Sequence, residues 1–93
     1  MPKPGGNVVY SQLHEAYRLT RAASRLMEAG RDAAALKLVR QAVWAASKHV
    51  KEWEKVLYFG LPPEHLLEAE ALIDRLLAVQ RLLDPEHAPQ EVP

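Results

Sequence analysis

Four histidines, three serines and a set of lysines and arginines around a tryptophan are the groups in this chain equipped for chemistry or for holding a charged ligand. His65 and Glu68 lie one helical turn apart, a spacing at which two side chains of one helix can share a metal ion, but no second His-containing pair completes a site. Ser11, Ser24 and Ser47 stand in no motif of an activated nucleophile, and there is no glycine-rich phosphate loop. The absence of cysteine removes disulfides, thiolate metal sites and a cysteine nucleophile together. The residues therefore predict no metal, no cofactor and no enzymatic activity.

Binding is better provided for. On a helical wheel Lys37, Arg40, Trp44, Lys48, Lys51 and Lys55 share one side, so that an indole sits within a basic face. Such a face can neutralise phosphates while the ring stacks on an unpaired base. It can equally dock a protein, or be covered by a neighbouring segment while the lysines merely solvate a long helix. His14, Arg18, Arg21 and Arg25 make a second basic line. Further along, Leu67, Ala71, Ala78 and Leu82 form an apolar line nearly opposite a core stripe, and a helix in a three-helix bundle needs only one such stripe. The second line calls for another covering surface, with the two alanines permitting close approach.

The elements that would position these groups are helices. The spacing predicts a first helix over about 11–29, with Ser11 as N-cap and Gly30 as the residue past its end, burying Val9, Leu13, Ala16, Thr20, Ala23 and Met27. Asp32 can cap a second helix, the longest, over 32–59, with a stripe of Ala35, Val39, Ala42, Ala46, Val50, Trp53 and Leu57. A third over 64–83 buries Leu66, Ala69, Leu72, Ile73, Leu76, Val79 and Leu83. Short connections make these an antiparallel three-helix bundle with a long middle helix, an all-α domain over 11–83. Residues 1–10 and the proline-rich 84–93 read as flexible tails.

The chain has 93 residues and a formal net charge of zero, unevenly distributed. Residues 1–61 carry ten Lys/Arg against five Asp/Glu, and residues 62–93 carry two against seven. No apolar run nears the roughly 20 residues needed to span a bilayer, and no secretion signal is apparent, which predicts a soluble, cytoplasmic protein without membrane attachment. A domain this small buries only about 60–65% of its extended-chain surface, so added burial from self-association would help it.

Between Leu26 and Val50 the chain resembles the helical hairpin of HEPN-domain proteins, with Gly30, Ala35, Gln41, Ala42, Val43, Ala46 and Lys48 at matching spacings. Tetratricopeptide units and the MIT domain are similar over the same stretch, through Leu19, Ala23, Leu26, Ala35, Val39 and Ala42. The HEPN resemblance implies a ribonuclease reading, in which an arginine and a histidine with a few residues between them meet across a dimer. Arg81 and His87 are the positions that would carry it, although Leu82 follows the arginine where the family prefers a polar residue.

These observations order the functional expectations. First is a non-catalytic helical module that forms a homo-oligomer, preferably a dimer, or docks a helical protein partner, through Leu67, Ala71, Ala78 and Leu82 or through the Trp44 face. A nucleic-acid-binding domain using the Trp44 face comes second, and a HEPN-type ribonuclease third.

Overall fold

The computed structural model describes residues 4–54 and 64–84, with side chains from Ser11 onward. Three helices account for nearly all of it: α1 (Pro4–Glu28), α2 (Asp32–Glu54) and α3 (Glu64–Leu83). There is no strand among the described residues. Helix α2 packs against both α1 and α3, making it the middle element of an all-α three-helix bundle. None of the three helices has an 18-residue window apolar enough to cross a membrane.

A three-residue connection, Ala29 to Arg31, turns α1 back onto α2, and its geometry follows from one glycine. Gly30 has φ of 78°, in the left-handed region. This lets the Gly30 N–H donate to the Met27 carbonyl at 3.0 Å and the Arg31 N–H donate to the Leu26 carbonyl at 2.8 Å. The two bonds satisfy carbonyls that the end of α1 would otherwise leave open, the pattern of a Schellman motif. The Arg31 carbonyl then accepts from the Ala35 N–H at 3.0 Å, which opens α2. Arg31 thus occupies the cap position expected for Asp32, and Asp32 lies in the first turn, where its charge favours the positive end of the helix dipole.

The second connection brings α3 back along α2. Arg40 bonds Asp84 at the end of α3, while His49, farther along α2, meets His65 at its start. Rising numbers on α2 match falling numbers on α3, so these two helices are antiparallel. The core that results is mostly small. Ala16, Leu19 and Ala23 of α1, Ala35, Val39, Ala42, Ala45 and Ala46 of α2, and Leu72 and Leu76 of α3 form one buried cluster.

Three further expectations are corrected. Helix α1 begins at Pro4 instead of near Ser11, so most of the segment read as a tail is helical; proline fits a first helical turn because it has no N–H to leave unbonded and its φ is already set. On α1 Leu19 is buried, Thr20 and Leu26 are half-buried and Met27 is exposed. Thr20 donates its hydroxyl to the Ala16 carbonyl at 2.7 Å, which satisfies it within its own helix. On α2 His49 and Ala45 are buried while Val50 and Trp53 are half-buried. Helix α1 has 25 residues, and the described part of α2 has 23. The continuation of α2 to residue 59, with Leu57, and the segment 85–93 lie outside the described residues.

Gly30 offers a direct test of the turn. A Cβ added there would meet nothing within 4 Å, so substitution is opposed by backbone conformation alone. Gly30→Ala should lower the unfolding free energy by about 1 kcal/mol in urea titration, and Gly30→Asn by less, because asparagine tolerates the left-handed region better.

Candidate functional site

The outer side of α3 is apolar along its length. Leu67 is 52% exposed and Leu82 79% exposed, with Ala71 and Ala78 exposed between them. The opposite side of the same helix holds the buried Leu66, Ala69, Leu72 and Leu76. The two stripes exist because 3.6 residues per turn place 67, 71, 78 and 82 nearly half a turn away from 66, 69, 72 and 76. Exposed charges border the outer line, with Glu64, Glu68 and Arg75 along one flank and Glu70, Asp74 and Arg81 along the other. The first half of α3 is acidic and the second half basic: the four carboxylates lie at or before residue 74, and Arg75 and Arg81 follow.

The basic face of α2 is turned away from the core, as its spacing predicts. Trp44 is 62% exposed, and the Lys48 ammonium stands 5.1 Å from the centre of its ring, within range of a cation–π contact. Trp44, Ser47, Lys48, Lys51 and Glu52 line an open pocket of about 330 Å³. Lys37 and Lys51 are exposed, and Lys55 lies outside the described residues. Arg40 is engaged: its guanidinium donates to an Asp84 carboxylate oxygen at 2.8 Å, tying the basic face of α2 to the end of α3. On α1 the parallel basic line is likewise partly neutralised, since Arg18 donates to both carboxylate oxygens of Glu15 at 3.0 and 2.5 Å. That hydrogen bond holds the Glu15 carboxyl below its ordinary pKa.

A third cluster has no counterpart in the sequence expectations. His49 is 1% exposed, the one buried polar side chain among the described residues. Its Nε2 lies 3.0 Å from Nδ1 of His65. At this distance one ring donates and the other accepts, so a second proton at the contact would replace the acceptor with another N–H. Trp53, one turn after His49, sets its ring edge-on to His65 with centroids 4.5 Å apart. The cluster therefore joins the C-terminal half of α2 to the start of α3 through aromatic surface and one hydrogen bond. The burial of His49 alone was signalled by spacing, since it follows Ala42 and Ala46 by seven and three residues and so falls on their stripe. Polarity hid it, because histidine at a core position reads as a break in the stripe.

His65 turns toward His49, and no group of three or more His, Asp or Glu side chains among the described residues could hold a metal ion. Arg81 is exposed on α3, and His87 lies outside the described residues. The chain matches no protein-family model, no curated protein and no solved structure.

The histidine contact can be measured as a coupling. His49→Ala should cost about 2–4 kcal/mol, as a cavity at a closed seam does, and His65→Ala less. In denaturant titrations of both single variants and the double, the two effects should fall short of additivity by about 1 kcal/mol.

Proposed function

We propose that this chain is a non-catalytic helical interaction module whose working surface is the outer apolar line of α3. The observation that supports it is the exposure of Leu67 and Leu82 on a helix whose other side already supplies the core. Leucines in water on a small domain are apolar area that association can bury. A second copy of the chain or a helical partner would take that surface, and the acidic and basic halves of α3 would set the orientation. The area is modest. Covering four such leucines in a symmetric pair is worth on the order of 5 kcal/mol before the entropy of association is subtracted, so the complex is concentration-dependent rather than permanent. A reducing cytoplasm suits a chain without cysteine, and we place the module there.

A second reading is favoured by Trp44, exposed in a basic surroundings beside an open pocket. It makes the α2 face a weak binder of single-stranded nucleic acid through stacking and phosphate neutralisation.

Size-exclusion chromatography with light scattering separates the two readings. The wild type should exceed its monomer mass of 10.5 kDa as concentration rises into the high micromolar range, and Leu67→Glu/Leu82→Glu should return it to monomer. A wild type that stays monomeric throughout, with Trp44 fluorescence quenched by single-stranded RNA in a salt-dependent way, would move the function to α2.

A further inference from the structure

The outer line of α3 reads the same in both directions. Leu67 and Ala71 are four residues apart, Ala71 and Ala78 seven, and Ala78 and Leu82 four again, so the pattern is symmetric about a point between residues 74 and 75. A surface that repeats when reversed can meet a second copy of itself across a twofold axis, because such an axis sets each residue against its mirror position in the partner. We propose that two copies of this chain pair antiparallel through α3, with Leu67 against the partner's Leu82, Ala71 against the partner's Ala78, and Glu70 beside the partner's Arg81.

This rests on the reading of the α3 outer line as an interface, and it adds the occupant and the register. Charge selects the direction. In an antiparallel pair each flank of α3 meets the same flank of the partner, and Glu70 and Arg81 share a flank. In the stated register their levels along the axis differ by two residues, about 3 Å, within reach of a long arginine side chain. The acidic half of one helix then lies along the basic half of the other, and the helix dipoles oppose. A parallel pair would instead gather both acidic halves at one end and align the dipoles. Near the axis Asp74 lies beside the partner's Asp74 on one flank and Arg75 beside the partner's Arg75 on the other, like-charge contacts that the two Glu70–Arg81 pairs must offset. The alanines at the middle allow the helix backbones to approach closely, and the leucines close the two ends.

The chain has no cysteine, so thiol cross-linking reads the register without interference. L67C and L82C are prepared separately, then oxidised alone and as a mixture, with the wild-type mass measured in parallel by light scattering. The mixed disulfide should form at least about ten-fold faster than either homodisulfide, because two L67C thiols would stand about 22 Å apart along the axis. As a check independent of cysteine, E70R and R81E should each weaken the dimer about ten-fold, and E70R/R81E together should recover to within about threefold of wild type. A dimer in which L67C links to itself as readily as to L82C, or in which the double charge variant is no better than the singles, overturns the register while leaving self-association standing. A wild type that stays monomeric overturns both.

Discussion

Helix α2 is packed on two sides, and what it places in those contacts is mainly alanine. Ala35, Ala42, Ala45 and Ala46 are buried on it, joined only by Val39 and His49 among the described residues. Ala16 and Ala23 on α1 and Ala69 on α3 continue the same theme. Small side chains let helix backbones approach closely and gain dense packing, but each removes little apolar area from water. A core built this way is sensitive to added volume and thin in hydrophobic stabilisation. Its larger buried members, Leu13, Leu19, Leu66, Leu72 and Leu76 with Val39 and His49, therefore matter disproportionately. His49 and His65 carry the α2–α3 seam where alanine gives way to rings, and Arg40 with Asp84 fastens its other end.

The same constraint explains the composition of α3. Its inner stripe meets α2, yet leucine also stands on the outside, where a helix serving only this bundle would carry polar residues. Leucine thus stands on both sides of α3, inside at Leu66, Leu72 and Leu76 and outside at Leu67 and Leu82. That arrangement is the physical basis for proposing a role in association: the exposed surface of the outer leucines adds nothing to a solitary bundle and becomes stabilising only when covered. The α2 basic face is of another kind. Its cations are partly occupied within the molecule, Arg40 by Asp84 and Lys48 by the Trp44 ring, which reduces the charge free to meet an outside anion.

Helix number, helix type and the buried part of the α3 stripe, Leu66, Ala69, Leu72 and Leu76, could be read from spacing because a 3.6-residue period is set by backbone geometry. Ile73, Val79 and Leu83 at the edge of that stripe are half-buried. Gly30 was equally legible, since few other residues accept its φ. The N-terminal end of α1 was not: proline and two glycines resemble a loop by type, although Pro4 is compatible with a first turn. Choosing Thr20 over Leu19 on α1 failed for a different reason. Neighbouring positions on a wheel differ by a rotation of the helix, and that rotation is fixed by α2, which the local sequence does not contain. The His49–His65 contact needed two helices to be placed together, and no local pattern holds that information. By contrast the outer line of α3 was visible because it is a property of one helix.

The central claim, that the α3 exterior is an interface, is tested most directly at the leucine methyl groups. With a soluble paramagnetic probe, the relaxation enhancement at Leu67 and Leu82 should be large in dilute protein and fall markedly as the protein is concentrated, while that at the Trp44 indole stays constant. Enhancements at the two leucines that remain large and unchanged at every concentration would contradict it.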